Sequence, residues 1–189
     1  MRHRFLLATA LTLLASAPVT GGIYSPGAYN SGRDPSTIVR IHTGVGAVRF
    51  RQPLSRVRIS AFGSARGSRI ISPSGGALRW LVRDFGPIAL VAQQRNPRPI
   101  VAFILRGRAY RTPRGFGVGD SMRQTRLAFG AGRQFVAHGK SLPVYQFRRA
   151  GTRILVRFDA RTPGRARVVA WAIVRDPKLS LVSEILRRT

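Results

Sequence analysis

The chain has 189 residues, with 33 Lys and Arg against six Asp and Glu, a formal charge of +27 and no cysteine. Without Cys there is neither a disulfide framework nor a thiolate metal site, and six acids are too few to expect paired carboxylates for acid–base chemistry. Of the 33 basic residues 31 are Arg, with Lys140 and Lys178 as the lysines. A GC-rich genome accounts for Arg over Lys but not for the scarcity of acids, and a charge of this size draws in polyanions.

Residues 1–17 have the form of a secretion signal. Arg2, His3 and Arg4 make a positive start, Phe5 to Ala15 is apolar and uncharged, and Ala15-Ser16-Ala17 supplies the small-x-small cleavage pattern. Eleven apolar residues fall short of the roughly 20 needed to span a bilayer. Residues 18–36, rich in Gly, Pro, Ser and Tyr, read as a flexible tether.

From Thr37 the chain shows short runs of Val, Ile, Phe and Arg between Gly and Pro punctuation, which are strand signals. One pattern occurs twice. Gly44 to Phe50 and then Pro53 to Gly63 run from a Gly-x-Gly turn through an amphipathic stretch to Ala-Phe-Gly, and Gly115 to Gly130 does the same, with the final glycines 67 residues apart. In the first copy Leu54, Val57 and Ala61 share a helical face. In the second, Asp120 or Ser121 caps a helix whose apolar stripe is Met122, Leu127 and Phe129. Gly63 and Gly130 then close the two helices.

Three strand-like runs follow each helix: Leu78–Arg83, Ile88–Gln93 and Ile100–Leu105, then Val144–Arg148, Arg153–Phe158 and Arg167–Val174. Turns are marked by Asp84-Phe-Gly86, Asn96-Pro97 and Arg149-Ala-Gly151. The segment Pro177 to Arg188 carries Leu179, Val182 and Leu186 at helical spacing. The expected fold is therefore α+β: a tandem α-β-β-β repeat, 37–110 and 111–177, forming an antiparallel sheet with short helices packed on one face, and a terminal helix at 178–189.

With Val45–Phe50 and Arg111–Ser121 as its leading motifs, the stretch from Ile38 to Val174 resembles the repeat of β-lactamase-inhibitor-protein-like domains and of small outer-membrane-assembly lipoproteins. It is also similar to a secreted family of high-GC bacteria. The resemblance implies a tandem repeat fold and no catalytic residues. It departs at Arg51 or Gln52, which stand where the family places a glycine.

Gly115-x-Gly117-x-Gly119 before a helix has the look of a phosphate loop, but Asp120 puts a negative charge where a phosphate would sit, so a tight turn with a helix cap is expected. His42 and His138 have no His, Asp or Glu at ligand or triad spacing. Ser64, Ser68, Ser72 and Ser74 occupy a loop without a nucleophile elbow. No enzyme, cofactor or metal site is expected. In Arg79-Trp-Leu-Val-Arg83 and Arg153-Ile-Leu-Val-Arg157, alternation places Arg79, Leu81, Arg83, Arg153, Leu155 and Arg157 on the solvent side of their strands. An antiparallel sheet can leave one face wet, and the expected binding surface is that open, Arg-bearing face. Its partner would be a protein or an anionic envelope polymer, met outside the cytoplasm. Export and the lack of clustered aromatics argue against nucleic acid. The competing expectation is a structural envelope protein whose charge is compositional.

Overall fold

The computed structural model describes residues 34–58, 61–72, 79–135, 144–149, 151–160, 164–175 and Leu186. The expected signal segment therefore lies outside the described residues, as do most of the expected tether and all of the terminal helix but Leu186. A capped 3-10 turn, Pro35–Thr37, already stands at the tether's end, with Asp34 accepting from the Ser36 amide at 2.9 Å.

Among the described residues, eleven strands form two antiparallel sheets. The small one holds β1 (Val39–Arg40), β2 (Gly44–Val45) and β3 (Val48–Arg49). The large one holds β4 (Gly67–Ile71), β5 (Trp80–Asp84), β6 (Ile88–Gln93), β7 (Ile100–Leu105), β8 (Arg133–Phe135), β9 (Val144–Arg149), β10 (Thr152–Phe158) and β11 (Val168–Val174). Its order is β4-β5-β6-β7-β11-β10-β9-β8, two four-stranded meanders joined where β7 pairs with β11 from Ala102↔Val174 to Leu105↔Trp171.

The expected tandem α-β-β-β fold with helices on one face is overturned. The protein is mostly β, with one α-helix among the described residues, α1 (Met122–Phe129). In place of the first helix stands a single 3-10 turn, Leu54–Arg56, followed by extended Val57. The reason is local. Pro53 offers no side-chain cap, and β-branched Val57 is stiff at χ1 in a helix. α1 has what that segment lacks: Ser121 accepts from the Gln124 amide while Gln124 accepts from the Ser121 amide, a reciprocal cap. The apolar face also differs. Met122 and Thr125 are buried and Phe129 packs on the core, whereas Leu127, about 140° round the helix from Met122, is 69% exposed. Ser68 belongs to β4 rather than to a loop.

Both faces of the large sheet are covered. On one, Phe103, Trp171, Ile154 and Val156 meet the small sheet's Val39, Val45 and Val48 and α1's Met122. The aromatic rings of Phe129, Phe116 and Trp171 stack edge to face at 4.6 and 5.1 Å, geometry worth about 0.5–1.5 kcal/mol per pair beyond area burial. On the other face Trp80, Val82, Ala102, Leu155 and Val174 form a second buried cluster that includes Leu186. Central strands β6, β7 and β11 are accordingly apolar at both parities, as strands buried on two sides must be. Among the described residues no helix is long and apolar enough to cross a membrane.

Candidate functional site

The expected open face bearing all six side chains does not form. Leu81 packs against the core on the α1 side, and Arg79 and Arg83 share its parity; Leu155 is buried in the opposite cluster, and Arg153 and Arg157 share that parity. The two trios thus lie on opposite faces, with no common surface. Arg157 is half-buried, its Nη1 donating to the Leu186 carbonyl at 2.9 Å. Burial pushes its guanidinium pKa down, and this arginine serves to tie the second cluster together.

Arginines do converge elsewhere, at one end of the large sheet. The β6–β7 connection, Gln94-Arg-Asn-Pro-Arg-Pro99, turns there through a cis Asn96–Pro97 bond. It is pinned from both sides. The Gln94 amide donates to the Arg79 carbonyl at 2.8 Å, and residues 51–54 pair with 98–100 through Arg51 N to Ile100 O, Ile100 N to Gln52 O and Leu54 N to Arg98 O. The backbone is therefore held while Arg95 and Arg98 stand exposed. To join the small sheet to this pairing the chain turns sharply at Arg51, which adopts φ 64°, a left-handed conformation that glycine would favour.

Two clefts flank the turn and share Arg95, Asn96 and Pro97. The first, about 850 Å³, is lined by Arg83, Arg95 and Arg98 with Leu81 and Gln94. The second, about 860 Å³, is lined by Arg51, Arg95 and Arg175. Arg83 reaches within 6.0 Å of the Phe85 ring centroid; Arg175 lies 5.8 Å from that of Phe50 and donates to the His42 carbonyl at 3.3 Å. Aromatic faces hold a guanidinium in place without neutralising it. Gln94 Oε1, buried beside the first cleft, finds no hydrogen-bond partner.

The described acids sit away from this end. Asp84 closes β5, Asp159 follows β10 and Asp120 precedes β11, so all three lie at the far end of the strands. There Asp84 pairs with Arg106 at 3.1 Å, Asp120 pairs with Arg111 at 3.0 Å and Asp159 accepts from the Arg167 amide at 2.7 Å. The fourth, Asp34, is fully exposed, and its hydrogen bonds from Ser36 hold its pKa below the usual carboxylate value. Among the described residues there is no group of three or more metal-ligating side chains, and neither cleft is lined by a histidine or an acid. His42 faces Thr152, Nδ1 to Oγ1 at 3.4 Å, and His138 lies outside the described residues. The glycine-rich loop is closed rather than open to a ligand: Arg111 donates to the Gly115 and Val118 carbonyls, and Asp120 accepts from the Gly117 amide.

Of the residues expected from sequence, Leu81 and Arg83 belong to this site. Arg51, Arg95, Arg98 and Arg175 were not foreseen; the one available signal was a turn carrying two arginines and two prolines.

No protein-family model matches the chain, and no curated protein does. Among solved structures it is similar in part to an extracellular protein containing an SCP domain from Bacillus anthracis, at 13% identity over 68% of this chain and 43% of that one, with a TM-score of 0.40. A cysteine-rich secretory protein from Staphylococcus aureus gives 13% identity, 64% and 43% coverage and a TM-score of 0.39. The chain spans less than half the length of either, and likenesses this distant assign it neither ligand nor activity.

Proposed function

We propose that this is an exported, non-catalytic binding domain that holds an anionic polymer of the cell envelope at the β6–β7 end of its sheet. The observation that carries the reading is the segregation of charge along the strands. Arg51, Arg95, Arg98 and Arg175 line two adjoining clefts that, among the described residues, contain no acid, while Asp84, Asp120 and Asp159 are held at the opposite end of the strands. A guanidinium's planar fork suits phosphate and carboxylate oxygens alike. Two clefts astride one turn suit a chain of repeated charges better than a single small anion. Gln94 Oε1 is placed to accept a hydroxyl from such a backbone, as in a polyol phosphate or an acidic glycan. Export rests on the N-terminal segment: Arg2 and Arg4, the apolar run to Ala15, and Ala15-Ser16-Ala17.

The test is a pair of charge-matched double variants. Arg95→Ser with Arg98→Ser should weaken retention on purified anionic wall polymer at least about tenfold, roughly 1.4 kcal/mol, and flatten its salt dependence. Arg123→Ser with Arg126→Ser, exposed on α1, should change retention little. Equal losses from both pairs would mean that bulk charge alone does the binding and would overturn the proposal in favour of a compositional charge.

A further inference from the structure

Among the described residues, strand β4 ends the large sheet and has a neighbour on one side, pairing with β5 from Gly67↔Asp84 to Ile71↔Trp80. Gly67, Ser68, Arg69 and Ile70 are all exposed, and Ile70 keeps 53% of its surface in water. An edge of this kind presents a row of backbone donors and acceptors that proteins usually cover or blunt. At the opposite edge β8 has three residues.

We infer that β4 is a docking edge for an extended acidic segment of a partner protein, which joins the sheet as a ninth strand. In such a complex main-chain hydrogen bonds give affinity and alternate side chains give selectivity. The side chains of β4 specify that alternation. Ser68 stands opposite Arg83 and Ile70 opposite Leu81, so both turn to the α1 face, whereas Arg69 stands opposite Val82 and turns to the other. A residue paired with Ile70 is best apolar. The residue beside it, paired with Arg69, is best acidic.

Charge also selects against the obvious competitor. Arg69 is the middle residue of β4, so two copies of this chain pairing antiparallel and in register would set Arg69 against Arg69, with Arg66 adding to the repulsion. Like charges directly opposite destabilise a ladder. An acidic strand meets the reverse. Arg69 and Ile70 line neither cleft, so this inference and the polymer reading can fail separately.

The experiment uses the intact chain and a labelled ten-residue peptide alternating valine and aspartate, read by fluorescence polarisation and by hydrogen exchange. Amides within 67–71 that do not bond to β5 should slow at least tenfold when the probe binds. Arg69→Glu should weaken the probe at least tenfold, and a valine–lysine probe should then bind that variant better than it binds the unaltered chain. Ile70→Ser should weaken both probes. Unchanged exchange in 67–71 would overturn the inference. So would probe binding that survives Arg69→Glu but is lost in the Arg95→Ser, Arg98→Ser variant, which would put the peptide in the clefts as a mere polyanion. Protection without the probe of those 67–71 amides that do not bond to β5 would assign the edge to a second copy if it rises with concentration, and to another segment of this chain if it does not; either result excludes a partner strand.

Discussion

Arg111 Nη1 and Asp120 Oδ1 meet at 3.0 Å with both side chains largely withdrawn from water, and the pair closes the loop from which α1 starts. Arg111 also donates to the Gly115 and Val118 carbonyls, and Asp120 accepts from the Gly117 amide. Gly117 is part of the lock, since a Cβ there would lie 2.8 Å from Arg111 Cγ and from the Tyr110 carbonyl oxygen.

Asp120→Ala strands a half-buried guanidinium and a backbone amide together. Breaking a fully buried pair costs about 3–5 kcal/mol. With part of this one exposed, about 2 kcal/mol is expected, as a lower urea midpoint at unchanged slope.

Arg51 reverses the usual ranking of small residues. A non-glycine residue in the left-handed region costs about 1–2 kcal/mol, so Arg51→Gly should be more stable than Arg51→Ala by about 1 kcal/mol, after allowing for glycine's greater freedom when unfolded. Both should weaken polymer binding, because both remove a guanidinium from the second cleft. Paired unfolding and retention assays separate the two effects.

Tyr110 gives the fold an alkaline dependence. Desolvation, and secondarily the Asp34 charge, raise its pKa above the ordinary tyrosine value of 10.0. The folded chain therefore keeps its phenol proton while the unfolded chain begins to lose it, so the native state binds more protons and stability falls as pH rises. This contribution is intact below pH 10.0 and is lost as pH climbs through the raised value. Tyr110→Phe should remove that part of the decline, which unfolding curves on either side of pH 10.0 will show.

The faces of α1 predict opposite outcomes for two apolar residues. Met122→Ala removes a buried side chain and should cost about 2–4 kcal/mol. Leu127→Ala, on the wet face, should stay within about 0.5 kcal/mol. Thermal unfolding of the two variants checks the contrast.

Six strands were readable from local pattern: β6 and β7 coincide with the runs Ile88–Gln93 and Ile100–Leu105, and β5, β9, β10 and β11 with theirs to within two residues at either end. The cap was narrowed to Asp120 or Ser121, because a side chain that reaches its own helix's amides is a matter of a few residues, and the structure has it at Ser121. Strands β4 and β8 escaped notice; they are edge strands with little apolar content, supported mainly by a neighbour distant in sequence. The Leu54–Val57–Ala61 pattern marked which side chains turn inward, since Leu54 and Val57 are buried, but not the backbone that carries them.

What the sequence determined by itself was the alternation within each strand, the turns between strands and the excess of positive charge. Only the tertiary structure decided which arginines share a surface. Parity separates the two sides of one strand, yet it does not say which side of the sheet each belongs to; that depends on how β5 and β10 are placed through β6, β7 and β11. The runs in those central strands, apolar at both parities, were the local sign that neither face would stay open. The clefts at Arg51, Arg95, Arg98 and Arg175 exist because segments 44 to 74 residues apart in sequence are hydrogen-bonded around one turn, and contacts at that separation leave no periodic trace.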